Sequence, residues 1–154
     1  MLKGYGVSNI IETQGNNSTD LIGILPNGIK AAFEIKDREC PSTKYNDHMI
    51  ESIKLQSLIK RKQKNEFQQI FLISIFEDST IYITKDIDTI NYTKTNKPCP
   101  TTTKLNNHKL IYKEVCLYKP TDIRYLEINI KDKIEYLHFS DTPFNNIQSN
   151  KPLF

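Results

Sequence analysis

Ser18-Thr-Asp-Leu-Ile-Gly-Ile-Leu-Pro-Asn-Gly-Ile-Lys-Ala-Ala-Phe-Glu-Ile-Lys-Asp-Arg38 is the stretch on which the fold turns. Asp20 to Leu25 is an apolar run of strand length, and Ile29 to Lys36 is a second. Between them Pro26-Asn27-Gly28 carries turn chemistry: proline fixes φ at one corner, and Asn-Gly accepts the positive φ that tight hairpins demand. The spacing predicts two strands paired antiparallel. Side chains alternate along a strand, so Phe33 and Ile35 face one way, as core residues, and Glu34 and Lys36 the other. Asp20 stands at the entrance of the first strand, where curvature of the hairpin can bring it toward Glu34 and Lys36.

Outward from the hairpin, Ser8 to Gln14 reads as a short helix or a strand, and Gly15 to Ser18 as loop. Asp37 to Asn46 is polar, contains Pro41 and reads as loop. A helix is expected over Asp47 to Lys64, with Asn46 or Asp47 as its cap. Its apolar residues (Met49, Ile50, Ile53, Leu55, Leu58, Ile59) make no single stripe, which implies protein on more than one side. Ile70 to Phe76 is a β-rich apolar run suited to a central strand buried on both faces. Glu77-Asp78-Ser79 then turns the chain into a partner strand, Thr80 to Thr84. Asp86 to Asn107, with Pro98, Pro100 and the run Thr101-Thr102-Thr103, reads mostly as loop. Lys109 to Lys119, Ile123 to Ile130 and Lys133 to Phe139 look like further strands, with Lys131-Asp132 as a turn. The expected class is α/β (α+β), a mixed sheet with at least one helix packed on it. The whole reads as one domain over residues 1–139, followed by a tail at 140–154.

Composition bounds the function. At 154 residues, with 38% hydrophobic and 25% charged residues, the chain suits one soluble domain with a real core. Its longest apolar run is strand-sized, and its first residues lack the apolar centre of a secretion signal. No membrane partner and an intracellular, cytoplasmic location are the expectations. Cys40, Cys99 and Cys116 form no Cys-x-x-Cys pair, and His48, His108 and His138 are equally scattered, so neither a zinc site nor a disulfide framework is expected. Net charge is only +3. It is unevenly spread, however: Lys54, Lys60, Arg61, Lys62 and Lys64 fall in one stretch without an acid, and Lys94 to Lys119 holds six lysines against Glu114. Such patches are compatible with a polyanion such as DNA, although most are solvated faces.

Two carboxylates and a lysine in this order suggest cleavage of a phosphodiester. A hard divalent cation, usually Mg²⁺, eases the charge that builds on the phosphoryl oxygens and the leaving alkoxide, and carboxylate oxygens are its preferred ligands. Asp20 and Glu34 would be those ligands, with the backbone carbonyl of Ile35. Lys36, two residues beyond Glu34 on the same face, could orient the attacking water and offset developing charge. A Glu–Lys pair on a solvated strand face is the ordinary alternative.

Asp20, thirteen residues, then Glu34-Ile35-Lys36 with a helix and a strand following, resembles the PD-(D/E)xK nuclease superfamily. The text around Asp20 and Glu34 is similar to the Holliday-junction resolvases of Gram-positive bacteria and related phage nucleases, over roughly residues 15–84. The resemblance implies a restriction-endonuclease-like core flanked by helices, Mg²⁺ (with Mn²⁺ as a substitute), Asp20 and Glu34 as metal ligands, and Lys36 as the catalytic lysine. It also implies DNA as substrate, a symmetric dimer if the chain is a resolvase, and a bacterial cell or phage-infected host as its setting. Gln56 matches a helix glutamine that many members aim at the site. Glu12 is what remains for an additional acidic residue, and Thr19 stands where a proline often precedes the first acid. The strands after residue 100 have no counterpart. A non-catalytic DNA-binding protein, or a phage or virion accessory protein that retains the fold, is the alternative.

Overall fold

The protein is described here from a computed structural model covering residues 2–13, 18–45, 47–101, 109–119 and, as backbone, 125–129. The Pro26-Asn27-Gly28 turn forms as its residues dictate. Gly28 takes φ +83°, the Gly28 N–H donates to the Leu25 carbonyl at 2.8 Å, and the Asn27 side chain accepts from the Ile29 N–H at 3.1 Å. The turn joins β2 (Leu21–Ile24) to β3 (Lys30–Arg38) in antiparallel register, from Leu21 opposite Phe33 to Ile24 opposite Lys30. β1 (Ser8–Glu12) pairs outside β2, which settles that segment as strand.

On its other side β3 pairs in parallel with β5 (Gln69–Phe76), from Ala31 opposite Gln69 to Arg38 opposite Phe76. A parallel pair needs a long crossover. The intervening chain supplies it, with α1 (Ser52–Gln63) inside it. β6 (Thr80–Lys85) and β9 (Tyr125–Asn129) complete a six-stranded sheet in the order β1-β2-β3-β5-β6-β9. The expected strand at 133–139, its turn and the tail lie outside the described residues.

Strand alternation divides the core in two. Phe33, Phe71 and Ile73 pack with Leu25, Ile81 and Ile83 on one face. Ala32, Ile70 and Leu72 meet Leu55 and Leu58 of α1 on the other, together with Ile50, Cys116 and Tyr118. β3 and β5 are therefore covered on both faces, as the apolar run at 70–76 requires.

Two expectations need correction. The helix does not begin near Asp47. Residues His48–Glu51 form β4, which pairs antiparallel with β8 (Leu110–Tyr118), and α1 starts directly behind it at Ser52. This explains the missing single stripe: His48 and Ile50 are buried with strand periodicity, Leu55 and Leu58 with helical periodicity, and Ile53 is 74% exposed. The segment read as loop also contains a strand, β7 (Thr93–Pro100), on the far side of β8. Its prolines argued against a strand, but β7 is an edge of the three-stranded sheet β4-β8-β7, where a missing N–H need not break a ladder. Among the described residues α1 is the one α-helix, and it shares the cover of its face of the larger sheet with this second sheet.

Cys40, Cys99 and Cys116 are buried, each as a free thiol. His48 is buried too, with its ring centre 4.8 Å from that of Tyr82 and 6.3 Å from that of Phe76. Burial, reinforced by the Arg38 guanidinium, brings its pKa from 6.5 down to about 4. The unfolded chain therefore binds a proton between those values that the folded protein refuses. Stability should be full above pH 6.5 and fall as pH drops toward 4, by about 3 kcal/mol from this residue. His48→Phe is expected to remove that part of the slope in urea midpoints measured against pH. An unchanged slope would assign it elsewhere.

Candidate active site

β2 ends its pairing at Leu21–Phe33, whereas β3 continues beside β5 to Arg38. Past Phe33 the β2-side edge of β3 is therefore open to whatever precedes β2. Asp20 fills it. Its N–H donates to the Phe33 carbonyl at 3.1 Å, and its Oδ2 accepts from the Ile35 N–H at 2.6 Å. Thr19 is buried, and its hydroxyl donates to the same Phe33 carbonyl at 2.9 Å. The first acid is thus held on the strand that carries the second. A residue's N–H and C=O leave a strand toward the same neighbour, so the Ile35 carbonyl opens on this edge as well.

Glu34 and Lys36 share the face that α1 covers, the face of Ala32. Phe33 and Ile35 pack into the opposite core, as alternation predicts. Glu34 is fully buried. Its Oε1 lies 2.7 Å from Lys36 Nζ and 2.6 Å from Lys54 Nζ, and its Oε2 is buried with no hydrogen-bond partner among the described residues. Burial works against the Lys54 ammonium, but the hydrogen bond and charge of Glu34, with Asp20 behind it, outweigh this and raise its pKa. Asp20, Glu34, Lys36 and Lys54 together sum to zero charge.

Lys54, read from sequence as part of a basic strip, is therefore the residue that α1 delivers to the site. Gln56 is not. Two residues further on, it lies about 200° round the helix, exposed, with its amide 3.4 Å from Ser52 Oγ and in a shallow groove beside Lys113 and Glu114. Glu12 also falls elsewhere. It is opposite Leu21, and opposed residues share a face, so it stands on the Phe33 side of the sheet and is exposed. The rest of the basic run is partly neutralised. Arg61 pairs with Glu66 at 2.8 Å and Lys62 with Asp88 at 2.6 Å, while Lys60 and Lys64 point to solvent.

No protein-family model, curated protein or solved structure matches this chain. The site is read from its own chemistry. Asp20, Glu34 and the Ile35 carbonyl are all hard oxygen donors, and Glu34 Oε2 is a buried acceptor that no donor among the described residues meets. A hard divalent cation suits that set. Among the described residues no group of three or more His, Cys, Asp or Glu gathers at metal-holding spacing. An ion here would accordingly take its remaining ligands from backbone and water, as Mg²⁺ commonly does. No described helix is long and apolar enough to cross a membrane.

Proposed function

We propose that this chain is a divalent-metal-dependent nuclease of the PD-(D/E)xK type that hydrolyses DNA phosphodiester bonds. The observation that carries the reading is Glu34: a fully buried carboxylate with one oxygen held by two lysines and the other without a hydrogen-bond partner among the described residues, one residue from the amide that anchors Asp20. A mixed sheet with α1 in the crossover between parallel β3 and β5 supports it.

Asp20, Glu34 and the Ile35 carbonyl would hold the ion. Bound there, Mg²⁺ or Mn²⁺ supplies positive charge to the phosphoryl oxygens and makes a water more acidic. Lys36, 15% exposed, is close enough to Glu34 to be fixed by it and open enough to meet a phosphate or its attacking water. Burial of Glu34 strengthens each of these interactions by lowering the local dielectric. Lys54 balances the second carboxylate and holds the Glu34 side chain toward α1.

One observation favours the second reading, a DNA-binding or phage accessory protein that keeps the fold without the chemistry. With Lys54 in place the charges already cancel. The two readings separate in a cleavage assay on supercoiled plasmid, linear duplex and four-way-junction DNA. The nuclease reading expects products from at least one substrate with Mg²⁺ and none with EDTA. No product from any of them, with Mg²⁺ or Mn²⁺, would leave the second reading. A preference for the junction would specify a resolvase.

A further inference from the structure

Asp20, Glu34 and Lys36 belong to the hairpin and its entrance, whereas Lys54 comes from α1. Leu55 and Leu58 seat that helix in the core shared with Ala32 and Leu72, and Lys54 Nζ thereby comes to lie 2.6 Å from Glu34 Oε1. The same ammonium also feels the charge of Asp20. It therefore stands where both acids attract a cation. Its side chain is 27% exposed, against 15% for Lys36 and none for Glu34. The head reaches a buried carboxylate while the stem opens to water, and a flexible four-carbon stem can swing outward without moving the helix. Glu34 meanwhile keeps a second oxygen, Oε2, that no donor among the described residues meets.

We propose that Lys54 is the resident cation of this site: its ammonium neutralises the Asp20–Glu34 pair until it gives way to a divalent ion, and it thereby sets how tightly and how selectively the site takes metal. Charge dictates the exchange. With Lys54 in place the cluster is neutral, and a divalent ion added to it would leave two positive charges in a buried setting. With Lys54 turned out into water only one remains, and uncompensated charge is costly where the dielectric is low. A monovalent ion gains no more from the two acids than the ammonium already does, so the exchange favours a doubly charged one. Held on α1, the ammonium competes at a local concentration that dilution cannot lower. A permanent structural strut would behave in the opposite way, because removing it would loosen Glu34 and weaken metal binding. The inference rests on the metal-binding reading of Asp20 and Glu34 and names the residue that tunes it.

The test is calorimetric titration of the full-length chain with Mn²⁺ in the absence of DNA, where cleavage plays no part. Wild type is compared with Lys54→Gln, which keeps an N–H donor but no charge, with Lys54→Met, which keeps neither, and with Lys54→Arg, which keeps both. A lysine seated on Glu34 in about nine molecules of ten lowers apparent metal affinity about tenfold. Lys54→Gln and Lys54→Met should therefore bind Mn²⁺ at least that much more tightly, and Lys54→Arg as wild type does. Mn²⁺ should also raise the urea midpoint of Lys54→Gln more than that of wild type at equal concentration, which reads binding on folded protein. Adding Glu34→Gln to Lys54→Gln should abolish the tight binding; its survival would put the ion elsewhere and overturn the proposal. If wild type binds Mn²⁺ through Glu34 and both neutral variants bind no more tightly, the role of Lys54 falls and the metal site stands. If the neutral variants bind Mn²⁺ and wild type does not, Lys54 stands as the resident cation and the reading of wild type as a working nuclease falls. No Mn²⁺ on wild type or on either neutral variant would overturn both.

Discussion

Glu34→Gln is expected to reduce Mg²⁺-dependent DNA cleavage at least a thousandfold, about 4 kcal/mol of transition-state stabilisation. The substitution keeps size and one acceptor oxygen but removes the charge that would hold the cation. It also leaves Lys36 and Lys54 sharing a neutral partner. Breaking a buried ion pair from one side costs about 3–5 kcal/mol. The low end applies here, because the Lys36 and Lys54 side chains keep 15% and 27% exposure and can turn toward water. Urea midpoints must therefore accompany the rates, so that lost activity is read on folded protein. Glu12→Gln and Gln56→Ala are the contrasting substitutions. Both lie away from Glu34, and each should stay within about threefold of wild-type rate, less than 1 kcal/mol. Equal losses at Glu12 and Glu34 would show that the catalytic acid had been misplaced.

Phe33→Ala should produce the largest loss of stability in the molecule. Phe33 is fully buried and stacks on Phe71 at 5.1 Å, across the parallel junction of β3 and β5. Truncating a buried phenylalanine removes its transfer free energy and leaves a cavity, together about 3–5 kcal/mol. For a chain of this size that lowers Tm by about 10–15 °C. Phe33 also supplies the carbonyl to which Thr19 and Asp20 both donate. Cleavage should accordingly fall even below the melting transition, as the strand end carrying Glu34 shifts. A loss under about 1 kcal/mol would mean that the stacked pair is not the anchor of the sheet.

Much of this was legible in the text of the chain, for physical reasons that can be named. The β2–β3 hairpin was, because Pro26-Asn27-Gly28 has few conformations and Phe33 to Lys36 alternates strictly. The central strand was, because seven consecutive residues suited to a sheet interior have few other uses. The start of α1 was not. Strand and helix periods abut at Glu51 without a capping side chain, so β4 blurred into the helix. β7 was hidden by Pro98 and Pro100, which an edge strand tolerates and a central strand does not. At the site, Asp20, Glu34, Ile35 and Lys36 follow from local spacing on one hairpin. Lys54 does not, since which side of α1 meets Glu34 depends on how the helix crosses the sheet, and Leu55 and Leu58 fix that only through tertiary packing. Transferring a glutamine from a resemblance selected Gln56, which the helix turns the other way.

The central claim is that Asp20 and Glu34 together hold a divalent cation beside Lys36. The most direct measurement is a crystal soaked in Mn²⁺ with anomalous data collected near its absorption edge. One manganese peak is predicted within about 2.0–2.6 Å of Glu34 Oε2 and of the Asp20 carboxylate, with Lys54 drawn back from Glu34. A saturating soak that shows no manganese there, with Lys54 still on Glu34, would contradict it.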